Sequence, residues 1–193
     1  MNRLTVLPFK RRSPTVLAVT ILALTALVVS GCTSQSSVVP KLGAVVRCDS
    51  IPLGAASGGL EFPCLDGKST IRFSQMRGPL VVNVWGSWCA PCKDEIPMIR
   101  SFYSKNQSKV HIVGVDVEEA RRSDGTDFVI ANGMTWPILV DPDGRSRGFF
   151  GMGVPVTWFI DENGTVVHKK IGVLNSEQEL RDLASKYLHL TLS

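Results

Sequence analysis

Two cysteines separated by two residues, Cys89-Ala90-Pro91-Cys92, are the side chains of this sequence best suited to chemistry. Such a pair switches between a short-loop disulfide and a dithiol. It follows the apolar run Leu80-Val81-Val82-Asn83-Val84-Trp85, which reads as a buried parallel strand, and opens a helical stretch at Lys93-Asp94-Glu95-Ile96. Cys89 would therefore sit at a helix N-terminus, where unpaired N–H groups and the helix dipole favour a thiolate. Pro91 fits the first turn, since the N–H it lacks has no helical partner there. The thiolate is the attacking species in disulfide exchange, which makes Cys89 the nucleophile and Cys92 the resolving thiol. Half of a zinc site is the alternative, but structural zinc needs a second close Cys/His pair. His111, His168 and His189 show no such spacing, so no metal and no cofactor is expected.

Glu95 lies three residues after Cys92, on the same helical face. Near the thiols its carboxylate would raise their pKa and relay a proton. The other reading is a solvated first-turn glutamate held by the helix dipole. Trp88 is read as shielding the site and Trp85 as packing.

The elements that must position these residues alternate in the α/β manner. Leu60 to Arg77 reads as a small β-hairpin turning at Asp66-Gly67, then a helical turn near Phe73 to Met76. The helix after Cys89 carries an inward stripe of Ile96, Ile99 and Tyr103, with a kink expected at Pro97. Val110–Val117 reads as a strand and Glu118 to Asn132 as a helix, unless Ser123-Asp124-Gly125 is a loop before a helix starting near Asp127. Thr135–Val140 is a further strand. Val156–Ile160 and Val166–Ile171 form a hairpin around Asp161-Glu162-Asn163-Gly164, and Glu177 to Leu188 closes the chain as an amphipathic helix.

The segment from Val81 to Pro97, with Trp88-Cys89-Ala90-Pro91-Cys92 at its centre, resembles the thioredoxin superfamily. It is similar to the membrane-tethered branch that includes the ResA, CcmG and TlpA proteins. A second match, Gly153-Val154-Pro155-Val156-Thr157-Trp158-Phe159-Ile160-Asp161, resembles that family's cis-proline segment. Together the matches and their flanking elements span roughly residues 43 to 190. The resemblance implies a thioredoxin-like α/β fold: a central mixed sheet flanked by helices, an N-terminal β-hairpin extension, and an inserted αβ element before the proline. It implies that Pro155 is cis beside the dithiol, exposes the Val154 backbone to a substrate polypeptide and keeps metals off the thiols. It implies a proton-handling role for Glu95. Asn83 departs from thioredoxin itself, which has a buried aspartate six residues before its nucleophile. Asparagine cannot titrate, so Glu95 becomes the substitute base.

The N-terminus reads as a targeting segment. Arg3, Lys10, Arg11 and Arg12 form a basic region, and Val16 to Val29 is free of charge. At about fourteen residues this run is shorter than the ~20 of a spanning helix and suits a signal-peptide core. Val29-Ser30-Gly31-Cys32 resembles a bacterial lipobox, so residues 1–31 are read as a lipoprotein signal peptide, Cys32 as the lipidated residue, 32–42 as attachment and tether, and 43–193 as the domain. Each buried lipid methylene would contribute about 0.8 kcal/mol to membrane anchoring. The formal charge of +4 belongs to this segment: four of the 21 Lys/Arg precede Cys32, and the rest balance the 17 Asp/Glu. Neither a nucleic acid nor an anionic surface is implied as a partner.

Cys48 and Cys64 remain. In an oxidising compartment two such cysteines are read as a structural disulfide, whose loop of about seventeen residues would contribute roughly 3 kcal/mol. A second redox pair feeding Cys89–Cys92 is the alternative. The expected function is thiol–disulfide exchange on the extracytoplasmic face of a bacterial membrane, by a monomer that meets client thiols or disulfides and a membrane electron carrier. Glu95, and a Cys-x-x-Cys dipeptide without histidine, lean toward a reductant, in the resemblance one serving apocytochrome c. An oxidase of secreted proteins, a thiol peroxidase and a non-catalytic lipoprotein are the other readings.

Overall fold

The computed structural model describes residues 43–193, so the expected signal segment, Cys32 and the tether lie outside the described residues. Seven strands and three α-helices alternate along this stretch. β1 (Glu61–Pro63) and β2 (Thr70–Arg72) pair antiparallel, with Gly67 at φ +71° in the turn between them. A single 3-10 turn, Phe73–Gln75, then leads to the central strand β3 (Leu80–Trp85).

β3 is followed by α1 (Ala90–Asn106), β4 (His111–Val117), α2 (Arg122–Ala131) and β5 (Ile138–Asp141). β6 (Val156–Ile160), β7 (Val166–Ile171) and α3 (Glu177–Leu188) complete the chain. The five longer-range strands form one mixed sheet in the order β5-β4-β3-β6-β7. β3, β4 and β5 run parallel, while β6 is antiparallel to both β3 and β7. This is the thioredoxin-like arrangement. Among the described residues no helix is long and apolar enough to cross a membrane.

Every residue of β3 is buried, as a run that is apolar but for Asn83 requires of a strand covered on both faces. Alternation along it feeds two cores. Val81 and Trp85 face a cluster with Ile96, Ile99 and Phe102 of α1, Phe128 of α2 and Leu180 of α3. Leu80, Val82 and Val84 face the opposite cluster, which contains Phe62, Phe73, Phe150 and Trp158. Burying such aromatic side chains contributes about 1.5–3 kcal/mol each, which makes these clusters the main source of the domain's stability.

The two sheet edges are handled differently. β7 carries Lys169 and Lys170, and charge discourages further strand pairing. β5 is covered by the N-terminal segment: Leu65 N–H donates to Ile138 O at 2.8 Å, and Cys64 bridges Leu139. A disulfide joins Cys48 to Cys64, and both cysteines are buried there.

Two expectations need correction. The helix expected from Glu118 starts at Arg122 and runs unbroken through Gly125, so Ser123-Asp124-Gly125 is not a loop. A glycine inside a helix costs about 1 kcal/mol relative to alanine. The reason for it here is steric: a Cβ at residue 125 would lie 1.9 Å from Oδ2 of Asp116. The strand expected from Thr135 begins only at Ile138, after Pro137, which has no N–H to give to a ladder.

Candidate active site

β3 ends at Trp85, and the chain turns through Gly86-Ser87-Trp88 into α1. Cys89 is the N-cap of that helix, in extended conformation, and its sulfur accepts from Cys92 N–H at 3.2 Å. Pro91 occupies the first turn. Cys89 and Cys92 are joined as a disulfide. Their exposure differs in a way that assigns roles: Cys89 retains 5 % and Cys92 none. Of the two, only Cys89 borders solvent, and it stands at the positive end of the helix dipole.

Trp88 projects beside it, 54 % exposed, and its Nε1–H donates to Val117 O at 3.2 Å. The Val154–Pro155 peptide bond is cis. Because Val84 pairs with Val156, the antiparallel register carries Pro155 alongside the end of β3, where the dithiol loop begins. A groove of about 240 Å³ runs between these parts, lined among others by Trp88, Val154, Met152 and Phe150. Met152 is 96 % exposed, which gives the groove an apolar lip.

Beneath the dithiol lies a polar pocket in otherwise apolar surroundings. Glu95, one turn after Cys92 on α1, is fully buried, so the reading of it as a solvated surface glutamate is wrong. Its Oε1 accepts from Leu174 N–H, and its Oε2 from Asn83 Nδ2–H at 3.4 Å. The same Asn83 amide donates to Thr157 Oγ1 at 3.3 Å. Burial pushes the Glu95 pKa up to about 6, against the lowering effects of the Leu174 and Asn83 hydrogen bonds and of Lys170; Glu179 adds to the rise. At neutral pH Glu95 is thus largely ionised yet more basic than a surface glutamate.

Asn83 Oδ1 is buried without a hydrogen-bond partner. An amide can rotate to exchange its donor and acceptor ends. Asn83 can therefore donate to an ionised Glu95 and accept from a protonated one. An aspartate at this position would place a second negative charge beside Glu95.

The structure thus brings Cys89, Cys92, Glu95, Trp88, Pro91, Val154 and Pro155 to one end of the sheet. Cys48 and Cys64 are set apart in the core on the other face. Three participants were not singled out from sequence: Thr157, the Leu174 backbone, and Glu119, whose carboxylate holds Ser87 next to Trp88. For Glu119 the available signal was the run of three carboxylates at the end of a parallel strand, Asp116, Glu118 and Glu119, because sites in α/β sheets gather at those strand ends. Among the described residues no cluster of His, Cys, Asp and Glu is arranged to hold a metal.

The model of the AhpC/TSA family matches residues 56–169. A thiol–disulfide oxidoreductase ResA of Bacillus thuringiensis is 34 % identical over 138 residues, covering 67 % of this chain and 76 % of the relative. Among solved structures, StoA from Bacillus subtilis aligns at 26 % identity with a TM-score of 0.55, covering 67 % of this chain and 98 % of that one. DsbF of MTB, in mixed oxidised and reduced forms, aligns at 25 % identity with a TM-score of 0.58, covering 66 % and 94 %. Carried by a dithiol at the N-cap of α1 and by these matches, the chain belongs to the AhpC/TSA family and, within the thioredoxin superfamily, to the ResA-type thiol–disulfide oxidoreductases.

Proposed function

We propose that the protein is a membrane-anchored, extracytoplasmic reductant of client disulfides, with cytochrome c assembly as the process it serves. The observation that carries this reading is the pairing of an accessible N-cap sulfur, Cys89, with a buried Cys92 above a buried, basic Glu95.

In the reduced protein the Cys89 thiolate attacks one sulfur of a client disulfide. A mixed disulfide forms and the client's other sulfur leaves as a thiolate. Glu95 takes the proton of Cys92, whose thiolate then attacks Cys89 Sγ and releases the second client sulfur. Two electrons have passed to the client, and the protein is left with the Cys89–Cys92 disulfide. A dithiol carrier in the membrane restores it. Trp88 and the groove beside Val154 receive the client backbone, and cis-Pro155 keeps that edge open.

The finer architecture belongs to the same proposal. The β1–β2 pair is the N-terminal hairpin extension, and α2 with β5 is the element inserted before Pro155. Cys48–Cys64 is a structural staple: it ties the N-terminal segment over the β5 edge, in a core separate from the dithiol. Residues 1–31 direct export, Cys32 carries lipid, and 32–42 tether the domain 43–193, which acts as a monomer.

The redox state in cells tests the direction of electron flow. Acid quenching followed by thiol alkylation should find Cys89 and Cys92 predominantly reduced in growing cells, and oxidised when the membrane carrier is removed. A predominantly disulfide-bonded pair in both backgrounds would mark an oxidase instead.

A further inference from the structure

On the side of the dithiol loop away from Glu95 lie two further carboxyl groups, Asp116 and Glu119. Asp116 stands on β4, opposite Trp85 of β3 and Val140 of β5, and is 4 % exposed. Its Oδ1 meets no hydrogen-bond donor among the described residues. An ionised carboxylate left so would be costly, whereas a protonated one can itself donate. The Glu119 carboxyl borders the same small cavity as Asp116. Glu119 in turn accepts from the backbone N–H of Ser87 with Oε1 and from the Ser87 hydroxyl with Oε2, the latter at 2.6 Å. Asp116, buried and with an oxygen that no donor reaches, is the group of the two that carries a proton.

Ser87 is two residues before the nucleophile. The loop is otherwise held by Cys89 N–H to Gly86 O at 3.0 Å and by the Trp88 indole on Val117 O. The Glu119 clamp supplies two more bonds at its centre. Gly125 lets α2 approach closely enough to shut Asp116 away from bulk water. A small cavity of about 100 Å³, lined by Asp116, Glu119 and Arg122 with Pro63, Val140 and Pro142, gives Asp116 a border with a space solvent protons can enter.

We propose that Asp116 and Glu119 share one proton, and that the singly charged pair is a positioning device which fixes Ser87 and thereby the loop presenting Cys89. Loss of that proton places two negative charges in contact. Their repulsion drives Glu119 from Ser87 and loosens the loop. Burial above all, and then the Glu119 and Asp124 carboxylates, push the Asp116 pKa up to about 9. Arg122, on the wall of the same cavity, is the facing cation. The clamp is therefore intact through the neutral range and opens only in alkali. This inference rests on the thiol–disulfide reading for its purpose, but its test does not require turnover.

The test uses oxidised protein, in which no active-site thiol titrates. Nuclear magnetic resonance follows the Asp116 carboxyl carbon, the Ser87 amide and the Trp88 indole N–H from pH 5 to pH 10.5. The Asp116 carbon should stay in its protonated position through pH 7 and titrate near 9, with the Ser87 and Trp88 signals moving at the same midpoint. In Asp116→Asn, whose amide still donates to Glu119, that common inflection should vanish while the Ser87 shift remains at its neutral-pH value. In the reduced state, the rate of Cys89 alkylation per thiolate should change several-fold between pH 8 and pH 10 in the unmodified protein and stay flat in Asp116→Asn. An Asp116 carbon that titrates near 4 overturns the shared proton. Ser87 and Trp88 signals indifferent to the Asp116 titration overturn the positioning role, whatever the protein's redox activity.

Discussion

Cys89→Ser should abolish the reduction of insulin disulfides, whereas Cys92→Ser should stop turnover but accumulate a covalent complex with the client. The asymmetry follows from burial. Cys89 is the sulfur at the surface and at the N-cap of α1, and Cys92 lies fully beneath it. Without the surface sulfur no mixed disulfide forms, and the rate should fall by about 10³-fold or more, the scale at which enzymes lose a nucleophile. Without Cys92 the first step proceeds and the second cannot, so Cys89 remains bonded to the client. Non-reducing electrophoresis after acid quenching separates the two variants. Equal trapping through either sulfur would contradict the assignment. The Cys89 thiol should also titrate below the ordinary value of about 8.5, with alkylation against pH as the readout.

Glu95→Gln should alter stability, potential and pH profile together. A raised carboxyl pKa means that the native state binds its proton more tightly than the unfolded chain does. The native state is then disfavoured progressively as pH rises from about 4.5 to about 6, and by a constant amount above that. A shift of this size corresponds to about 2 kcal/mol. Glutamine can still accept from Leu174 N–H, and its amide can serve the unpartnered Asn83 Oδ1. The variant should therefore gain stability over the parent on going from pH 4.5 to pH 7, measured by urea unfolding, and the gain should level off above pH 7.

Removing the negative charge beneath the thiols should also lower their pKa, because like charges resist a second ionisation. A lower thiol pKa stabilises the reduced form, so the potential should become more oxidising and electron donation poorer. The resolving step should in addition lose its dependence on a group titrating near 6. Lys170 and Glu179, the other charges facing Glu95, remain in place and cannot supply these changes. Unchanged thiol titration and unchanged potential would leave Glu95 with a packing role alone.

The contrast between Cys89 and Glu95 locates what a sequence can carry. The dithiol, the strand before it, the β6–β7 hairpin and α3 are local patterns: apolar runs, turn residues and helical spacing within a dozen residues. They were legible for that reason. From sequence Glu95 reads as either solvated or functional, because its burial is decided elsewhere. The N–H it accepts from belongs to Leu174, 79 residues further along the chain, and only Asn83, on the strand that leads into its own helix, is near in sequence. Gly125 misled in the same way. Read locally it breaks a helix; in the fold it makes room for Asp116 on a different element. The Glu119–Ser87 clamp spans 32 residues and leaves no periodic trace in the sequence.

The direction of electron flow is the central claim, and the reduction potential of Cys89–Cys92 tests it most directly. Equilibrating the purified protein with redox buffers at pH 7, and counting the thiols released, gives the value for this pair alone once Cys48–Cys64 is scored separately. Superfamily members extend from about −270 mV for a cellular reductant to about −120 mV for a strong oxidant. Cys89 and Cys92 stand over a carboxylate, with no histidine between them to favour the thiolate. The potential should accordingly lie at the thioredoxin end of that range or be more negative still. A value near −120 mV would contradict the account, because a pair so poised withdraws electrons from its clients rather than donating them.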